Sequence, residues 1–587
     1  MTAIAEICLK GFRNFKSAKI NLTQKALVIG ANDVGKTNLM YAIRLLLDRH
    51  LSEADLEPSD GDFYAHEDTN EFEITLKLID VTEDCVLAKL KGFVSNDGEL
   101  YLVYRGRRDA ITRQKSYSLH AGHKIEDLCE LLARHYTKVL NVRYVAGRRD
   151  LYSYLKRERR ELLEEARSAR SEADKASDGI LHETISSGLK EVSKAVEGLT
   201  YIKSATVGLN AELAKLSHQS MTHEVVFDAA PFDASDFVGT VDLVCKVQGR
   251  SIPLTGDGRA NQVHLSLWAA RNRVLDPGDS LEVSILCIEE PEAHLHPHQQ
   301  RKLSSYLFEV FNSQVIVTSH SPQIACEFTP GSIIRLFHSI EGSRAAGDGC
   351  NPEIGASVVG LGYRMGVIPA EAIFSSAVLL VEGPSEVLLF RALAKQIEID
   401  LDRLNVSILS VDGIGFKAYS SLLYSLEIPF VIRTDNDVVK IRKSNPDKFR
   451  LAGMERAWSL YSKFVPEFDS NKYYVEKKSS LTDLVSKILS DELLAFTDEL
   501  RQLFAKAGIY ISAVDLEHDL YGVLKDELAT HYELNSEDRE EIINSMKTKK
   551  AENMFDFLKD NLLALKRLNG HQIAQPLLWL KSKLETK

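Results

Sequence analysis

The chain has 587 residues, of which 44% are hydrophobic and 27% are charged, and its formal net charge is -12. This composition is typical of a globular protein with roughly three or four domains. No apolar run approaches the ~18 residues of a membrane span and the N-terminus lacks a signal-peptide profile, which predicts a cytoplasmic protein without a membrane partner. Seven cysteines, odd in number and never spaced C-x-x-C, argue against a disulfide framework or a zinc ribbon.

A glycine-rich loop lies between a predicted strand and a predicted helix near the N-terminus. Short apolar runs at residues 4–9 and 26–29 predict two strands, and the second leads into the GANDVGKT sequence of residues 30–37. Strand, glycine-rich loop and helix in this order are typical of a P-loop. In a P-loop, backbone N–H groups bind phosphate oxygens, Lys36 reaches the β- and γ-phosphates, and the Thr37 hydroxyl ligates Mg²⁺. The residues predicted to bind the nucleotide are Gly30, Asn32, Gly35, Lys36, Thr37 and Asn38.

The next part of the chain predicts strands, a basic stretch and a helical arm. Residues 72–79 and 86–104 predict strands. Residues 103–170 hold 17 Lys and Arg against 9 Asp and Glu, which indicates either a footprint for a nucleic-acid backbone or a solvated basic helix face. Residues 151–217 are rich in Glu, Arg, Lys, Ala and Leu, which predicts an inserted helical arm. Its heptad order is too poor for a clean coiled coil, so a dimer contact and a helical lid both stay open.

Two further predicted strands end in polar residues that suit nucleotide chemistry. Residues 284–288 are small or apolar, which predicts a strand buried on both faces, and Glu289 and Glu290 follow directly. Of two paired acids in this place, one can bind a metal ion and its water, and the other can act as a general base. Residues 314–318 predict the other strand, and His320 follows it where a γ-phosphate sensor is expected. A lone histidine after a strand is usually structural, but its spacing from Glu290 favours the functional interpretation.

A second group of carboxylates follows buried strands in the C-terminal part. Residues 341–353 have no periodic pattern, which predicts a surface loop. Residues 377–381, 407–411 and 430–432 predict parallel strands, whose carboxyl ends meet at one edge of a sheet. The acids at or near these ends repel one another unless cations neutralise them, which predicts a divalent metal site. Those acids are Glu382, Glu386, Asp435 and Asp437.

Four motifs together resemble the ATPase core of the ABC, RecF and SMC class: GANDVGKT, LTGDGRANQ, ILCIEEPEAHLHP and VTSHSP. Glu289 stands where many members have Asp. The resemblance implies that Glu290 activates water, that His320 is the switch histidine, and that a signature segment at residues 256–262, with Gly256 and Gly258, contacts the ATP of a partner subunit. It therefore implies a homodimer or a higher homo-oligomer. The histidines of the EAHLHP turn belong to this motif, so zinc is not expected at His294, His296 or His298.

The motifs LLVEGPSE, VDGIGF and TDND resemble the Toprim fold. An ATPase core with an inserted arm and a C-terminal Toprim domain resembles the OLD (overcoming lysogenization defect) family of nucleases over nearly the whole chain. That family also includes the nuclease subunit of the Gabija anti-phage system. The resemblance implies two further acids, Asp515 and Glu517, although Asp515 stands where a hydroxyl residue is sometimes found. It also implies a late lysine, Lys550 in preference to Lys549.

The predicted organisation is α/β. It comprises an ABC/RecF/SMC-like ATPase domain in two parts, residues 1–150 and 218–345, the arm at 151–217, and a Toprim domain with helical additions at 375–587. The predicted function is an ATP-hydrolysing, Mg²⁺-dependent DNA endonuclease of anti-phage defence, with Mn²⁺ or Ca²⁺ as alternative ions and accessory defence proteins as further partners. One alternative is a topoisomerase or primase, weakened because no C-x-x-C module precedes the Toprim motifs and no catalytic-tyrosine domain is recognisable. Another is a non-nucleolytic RecF-like DNA-binding ATPase, weakened because every expected acid is present.

Overall fold

A computed structural model describes residues 1–147, 151–216, 237, 244–247, 250–253, 263, 282–293, 295–352, 354, 367–411, 415–441, 448–486 and 489–585. The chain forms two compact units. The first comprises Met1–Gly147, Leu281–Glu292 and His296–Lys587, and the second comprises Arg148–Ser280 and Ala293–Leu295. A search of the described helices finds none with the length and apolar character that a bilayer crossing requires.

The strands of the described residues form two principal sheets and two short hairpins. They are β1 Ala3–Phe12, β2 Phe15–Asn21, β3 Lys25–Ile29, β4 Glu71–Ile79, β5 Leu100–Arg108, β6 Lys115–Gly122, β7 Cys129–Leu131, β8 Leu140–Val145, β9 Val244–Val247, β10 Arg250–Pro253, β11 Val283–Glu289, β12 Val315–Thr318, β13 Ile333–Ser339, β14 Gly342–Ala345, β15 Ala377–Val381, β16 Val406–Ser410, β17 Phe430–Thr434, β18 Val438–Lys440, β19 Phe449–Leu451 and β20 Ile509–Ile511.

The α-helices of the described residues occur in both units, with α4, α5 and α6 in the second. They are α1 Lys36–Leu47, α2 Glu53–Leu56, α3 Asp84–Leu90, α4 Leu151–Ser168, α5 Glu172–Glu197, α6 Thr200–Leu216, α7 Pro297–Val310, α8 Pro322–Ala325, α9 Val367–Ala372, α10 Pro384–Gln396, α11 Phe416–Ser425, α12 Ala452–Phe464, α13 Lys472–Lys477, α14 Ser479–Thr482, α15 Asp491–Lys506, α16 Leu516–Tyr532, α17 Arg539–Lys547, α18 Lys550–Asn561 and α19 Gln575–Glu585.

The larger sheet has the order β7-β6-β5-β4-β1-β2-β14-β13-β3-β12-β11-β8. Its part from β13 to β8 is parallel, and the part from β14 to β7 is antiparallel. Helix α1 buries Leu39, Ile43 and Leu46, which recur at helical spacing, in the core of this sheet. Because the parallel strands β3, β11 and β12 are neighbours, the residues that follow them meet at one edge.

Three predictions about local structure in this part of the chain are wrong. The sequence predicted two strands before the P-loop, but β2 is an additional strand between them. Residues 86–99 are not a strand: α3 and a short 3₁₀ turn precede β5, because Val86 and Leu90 lie four residues apart and both enter the core. Residues 341–353 are not a simple surface loop, since β14 pairs with β13 and buries Ser343 and Ala345.

The smaller sheet has the order β16-β15-β17-β20, and all three pairings are parallel. The predicted strands at 377–381, 407–411 and 430–432 are confirmed as β15, β16 and β17. Every residue of β15 is buried, as expected for a strand covered on both faces. Its core includes Leu379, Leu389 from α10 and Leu520 from α16. The carboxyl ends of β15 and β17 are therefore neighbours.

Side-chain contacts join the two sheets within the first unit. The Arg335 guanidinium on β13 donates hydrogen bonds to the carbonyl oxygens of Leu426 and Glu427, each at 3.0 Å. The Glu427 carboxylate accepts from Arg344 at 2.7 Å and from the backbone N–H of Gly347 at 3.1 Å. Strand β13 also pairs directly with β3, the strand that leads into the glycine-rich loop. Strand β13 therefore contacts both β3 and the residues that precede β17.

The second unit contains α4, α5 and α6 over most of the predicted arm, and the hairpin of β9 and β10. Helix α5 begins at a capping box, in which Ser171 and Asp174 exchange hydrogen bonds with each other's backbone. Apolar side chains on this helix, including Ile180 and Leu181, are exposed. The predicted signature segment at residues 256–262 lies outside the described residues.

Candidate active sites

The glycine-rich loop connects β3 to α1, and two of its glycines are required by close contacts. A β-carbon on Gly30 would lie 2.4 Å from the carbonyl oxygen of Leu336, and one on Gly35 would lie 2.3 Å from the Asn14 amide. Both have positive φ, which side chains disfavour. The buried Lys36 ammonium donates to the carbonyl oxygens of Gly30 and Ala31 at 3.0 and 2.7 Å. Lys36 therefore lies along the loop where a phosphate is expected.

The acids after β11 lie beside this loop. Glu289 is buried and accepts hydrogen bonds from the Tyr144 hydroxyl at 2.9 Å and from Thr37. Burial raises the pKa of Glu289, and these hydrogen bonds oppose the shift. Its buried Oε1 accepts no hydrogen bond among the described residues. A carboxylate oxygen without a partner, beside a threonine hydroxyl, fits Mg²⁺ bound with a nucleotide.

Glu290 and His320 face each other at the same edge. Glu290 is exposed and has a φ of 43°, a backbone conformation that non-glycine residues adopt rarely and that recurs at functional sites. Its Oε1 lies 3.8 Å from the Nε2 of His320, beyond hydrogen-bond distance. Burial and the nearby Lys36 lower the pKa of His320, which favours the neutral imidazole.

Glu292 is a residue of this site that the sequence interpretation missed. Its Oε1 accepts hydrogen bonds from the backbone N–H of His320 at 2.6 Å and from the Ser319 hydroxyl at 2.8 Å. It thereby ties the turn after β11 to the turn after β12. The available signal was the third acid of the EEPE sequence, which stands two residues beyond Glu290.

The other predicted nucleotide-binding residues have varied positions. Asn32 is exposed at the tip of the loop. The Asn38 side chain is engaged by Arg13 at 2.8 Å and by Asn14 at 2.7 Å, so it fixes the start of α1 to the turn after β1. Gly256, Gly258 and His294 lie outside the described residues.

A second site forms where β15 and β17 end. Glu382 follows β15, and its Oε1 accepts from the Asp435 N–H at 3.0 Å and from the Thr434 hydroxyl at 2.5 Å. Asp435 follows β17, and its Oδ1 accepts from the Ser512 hydroxyl at 3.0 Å and the Leu516 N–H at 2.9 Å. The structure therefore brings these two carboxylates together from different strands. Asp437 lies two residues beyond Asp435 and is exposed.

Helices α10 and α16 add two buried acids. Glu386 lies in the first turn of α10 and accepts from the Gly383 N–H at 2.7 Å, and Glu517 lies in the first turn of α16. Oε1 of Glu386 and Oε2 of Glu517 are buried and accept no hydrogen bond among the described residues. Such orphaned carboxylate oxygens are costly without a cation. They fit hard divalent ions such as Mg²⁺ and Mn²⁺, which prefer oxygen ligands.

The lysines at 549 and 550 have different environments. The Lys550 ammonium lies 2.9 Å from Oε1 of Glu517, whereas Lys549 pairs with Glu552 at the surface. Asp515 caps the N-terminus of α16 through the His518 N–H, and also contacts Lys547 at 2.7 Å. Although burial opposes it, these partners lower the pKa of Asp515 to about 2. Asp515 is thus an ionised cap of the helix that carries Glu517.

Burial and mutual repulsion hold other acids of this site protonated to unusually high pH. Burial raises the pKa of Glu386 to about 8, with Asp435 adding to the shift. Burial also raises the pKa of Asp435 to about 7, although the nearby Arg433 lowers it. Although Asp437 is exposed as a residue, partial desolvation of its carboxyl raises its pKa, and Glu382 adds to the shift. The site therefore favours cations, or protons in their place.

We expect Asp435→Asn to stabilise the protein in EDTA at pH 8. The folded chain holds the Asp435 proton more tightly than the unfolded chain, so stability falls as pH rises from about 4 through about 7. Asparagine keeps an oxygen for Ser512 and Leu516 but carries no charge. Thermal unfolding should show a midpoint higher by about 2–4 °C at pH 8 and little change at pH 5. A lower midpoint at pH 8 would contradict this electrostatic account.

Two arginines beside these acids were not predicted from sequence. Arg433 on β17 is buried and pairs with Asp519 of α16 at 2.6 Å. Arg456 on α12 contacts Oε1 of Glu382 at 2.5 Å and also contacts the Thr434 hydroxyl. Among the described residues, no three acidic, histidine or cysteine side chains surround a common point as metal ligands do. Glu382 and Glu517 instead each contact a cation of the protein.

The basic stretch does not form an unpaired basic surface on strands β5 and β6. Arg105 pairs with Glu73 at 2.8 Å, and Arg108 pairs with Asp68 at 2.8 Å. Lys115 also pairs with Asp60, at 2.8 Å. These acids lie outside the window in which the positive excess was counted. The excess of Lys and Arg at residues 103–170 therefore gives no support for DNA binding by these two strands.

The geometry defines a P-loop ATPase that carries a Toprim domain. The profile of the AAA ATPase domain family matches residues 3–146 and 148–325, and the profile described as "Overcoming lysogenization defect protein-like, TOPRIM domain" matches residues 373–437. The chain belongs to the AAA ATPase domain family, and its C-terminal part contains an OLD-like Toprim domain.

Relatives share this combination to different extents. Endonuclease GajA of Bacillus cereus (strain VD045) is 27% identical over 601 aligned positions, which cover 96% of this chain and 99% of that protein. The OLD nuclease of Thermus scotoductus (strain ATCC 700910 / SA-01) is 27% identical over 179 positions, covering 29% of this chain and 34% of that protein. The solved C-terminal region of the Burkholderia pseudomallei OLD protein is 20% identical, covering 36% of this chain and 99% of that one, with a TM-score of 0.22.

Proposed function

We propose that the chain is an ATP-hydrolysing DNA endonuclease, that its Toprim domain cuts phosphodiesters with divalent metal ions, and that it acts in defence against phage DNA. The observation that carries the proposal is that acids from the ends of β15 and β17 and from α10 and α16 lie close enough to repel one another, and that two of them have orphaned oxygens. The similarity to Endonuclease GajA along 96% of the chain supports it.

The Toprim residues have separate roles in the proposed cleavage. Glu382 and Asp435 would hold one divalent ion, and Glu386, Asp437 and Glu517 a second, while Asp515 caps the helix that carries Glu517. Bound divalent ions supply charge neutralisation and a more acidic water at the scissile phosphate. Water forms a bond to phosphorus, one ester P–O bond breaks, and the leaving oxygen takes up a proton. Lys550 offsets the negative charge that develops on the phosphate.

The ATPase residues act at the edge of the larger sheet. Lys36 and the loop N–H groups bind phosphates, and Thr37 and Glu289 would hold Mg²⁺ and its water. Glu290 takes the proton of the attacking water, and His320 contacts the γ-phosphate. Glu292 fixes His320 relative to Glu290 through the two hydrogen bonds to the turn after β12.

The proposed regulation of cutting by ATP rests on the contacts of Arg335, which connect the larger sheet to the residues before β17. Strand β13 pairs with the P-loop strand, and Arg335 binds the carbonyl oxygens of Leu426 and Glu427 before β17. A shift of the P-loop edge on nucleotide binding would therefore displace the start of the strand that leads to Asp435. This connection supports regulation of cutting by ATP.

The protein is proposed to act as an assembly of several identical subunits. The ATPase class implies a homodimer or higher oligomer, because the signature segment acts on the nucleotide of a partner subunit. The helical arm contributes to that contact, and accessory defence proteins would be further partners. The proposed site of action is the cytoplasm.

Supercoiled plasmid distinguishes the proposal from its alternatives. With Mg²⁺ or Mn²⁺ we expect nicked and linear products, and none in EDTA. Relaxed closed circles would indicate a topoisomerase. An ATPase that leaves the plasmid unchanged across an ATP titration and in either ion would indicate a non-nucleolytic RecF-like protein.

Separate substitutions of Lys549 and Lys550 test which of these neighbouring lysines takes part in DNA cleavage. Lys550→Met removes the cation that contacts Glu517 and should lower the cleavage rate by about 10²-fold or more, the scale for losing one donor to a developing charge. Lys549→Met is the matched control, because Lys549 pairs with Glu552 at the surface. Gel-based cleavage rates measure both. Equal losses in the two variants would contradict the assignment.

A further inference from the structure

Arg456 contacts Glu382, one of the carboxylates proposed to bind a divalent ion in the Toprim site. Its guanidinium contacts Oε1 of Glu382 at 2.5 Å, and the same oxygen accepts from the Thr434 hydroxyl and the Asp435 N–H. Protein donors therefore saturate one oxygen of a carboxylate that is expected to bind a divalent ion.

The position of Arg456 is fixed by the same loop that carries the acids. Helix α12 begins against residues 435–437: the Ala452 N–H donates to the Asp437 carbonyl at 2.9 Å, and the Met454 N–H donates to the Asn436 side chain. A β-carbon on Gly453 would lie 2.0 Å from the Asp435 carbonyl oxygen, so only glycine allows this approach. Arg456 lies one turn further along the helix and points back to Glu382.

Arg456 is less enclosed than the other arginine of the site, although its guanidinium also lies 5.4 Å from the centre of the Phe416 ring. Arg433, the other arginine of the site, has a side chain only 3% exposed and is bound to Asp519. The Arg456 side chain is 26% exposed, so it borders solvent, where a DNA phosphate could approach it. A guanidinium stays charged at any pH at which the protein is folded, and it binds a phosphate through two parallel hydrogen bonds.

We infer that Arg456 is a catalytic residue that alternates between two anions. It neutralises Glu382 before metal binds, and it binds the DNA phosphate after a divalent ion has taken its place on Glu382. This inference rests on the proposed nuclease function. It fits the observed contacts of Glu382 with Arg456 and of Glu517 with Lys550, in which each acid is paired with a cation of the protein.

The inference predicts opposite changes in two measurements on the full-length protein. Arg456→Gln removes the competing charge, so Mn²⁺ should bind about tenfold more tightly in calorimetry without DNA, as expected when one charge-assisted contact no longer has to be broken. The same variant should cut plasmid about 10²-fold more slowly at saturating Mn²⁺, because one donor to the phosphate is lost. Arg456→Lys keeps the charge but not the paired hydrogen bonds, so its Mn²⁺ affinity should stay near that of the unchanged protein while cutting is reduced.

Arg450→Gln is the matched control, since Arg450 lies just before α12 and forms an exposed pair with Glu455 at 2.6 Å. It should change neither measurement. Unchanged or weaker Mn²⁺ binding by Arg456→Gln would overturn the proposed replacement of Arg456 by a metal ion on Glu382. Unchanged cutting by the same variant would overturn the proposed contact between Arg456 and the DNA phosphate. The ATPase rate reports whether each variant is folded. If Arg456→Gln does not fold, Arg456→Lys tests the inference instead, because normal cutting by Arg456→Lys would overturn it. If the unchanged protein cuts no DNA in any metal, the proposed function fails, whereas the Mn²⁺ affinities still test the exchange.

Discussion

Asp435→Ala and Glu382→Ala are each expected to reduce DNA cleavage to background while ATP hydrolysis continues. The two carboxylates come from different strands and meet at one edge, so either loss removes a ligand shared by the proposed metal site. The protein should remain folded, because the metal-free site already carries more acid than its cations neutralise. Plasmid cleavage with Mg²⁺ or Mn²⁺, a melting curve and the ATPase rate measure the three effects.

The matched control for these variants is Asp483→Ala, because Asp483 is an exposed acid of the same half of the chain that pairs with Lys448. It should cut normally. Normal cutting by both Asp435→Ala and Glu382→Ala would exclude the Toprim site as the nuclease. Loss of both DNA cleavage and ATP hydrolysis would show that the variants disturb the fold of the whole chain rather than the nuclease reaction alone.

Glu290→Gln is expected to retain ATP binding and to lower ATP hydrolysis by roughly 10²-fold or more, the usual scale for loss of a general base. Glutamine preserves the size of the side chain but cannot take a proton from water. Lys36→Ala should instead weaken ATP binding, because it removes the ammonium that lies along the phosphate loop. Nucleotide affinity and steady-state phosphate release separate the two effects.

Glu309→Gln serves as the control for the general base, since Glu309 is exposed on α7. Its hydrolysis rate should match that of the unchanged protein. A Glu290→Gln variant that hydrolyses ATP at the normal rate would show that another group activates the water. Glu292, which lies nearby but binds the turn with His320, would then be the next residue to test.

The sequence predicted the strands and loops of both sites because their signals are local. A run of buried residues that ends in an acid, as at β11 and β15, is visible without any knowledge of neighbours. The same reasoning could not find β14, whose glycine and serine residues have little strand preference and become a strand by pairing with β13. Nor could it see that α3 would use Val86 and Leu90 as one helical face.

The residues that were missed at the sites share one property: their importance depends on contacts between distant segments. Arg456 lies 74 positions from Glu382 along the chain, and no motif marks it. Arg433 and Asp519 are 86 positions apart. The sequence resemblance implied Lys550 in preference to Lys549, but the contacts that distinguish the two lysines, with Glu517 and with Glu552, depend on the fold.

The strand order of the larger sheet has a consequence for synthesis of the protein. β3 lies between β12 and β13, with Lys25 opposite Val315 and Leu27 opposite Ile333, so neither neighbour exists until most of the ATPase part has been translated. At ~5–20 residues per second, the intervening roughly 300 residues take about 15 to 60 s to emerge. During that interval the apolar stretch from Ala26 to Ile29, fully buried in the finished sheet, has no strand to pair with. The apolar β3 segment of a nascent chain is therefore exposed to aggregation until β12 and β13 leave the ribosome, and slower translation lengthens that exposure.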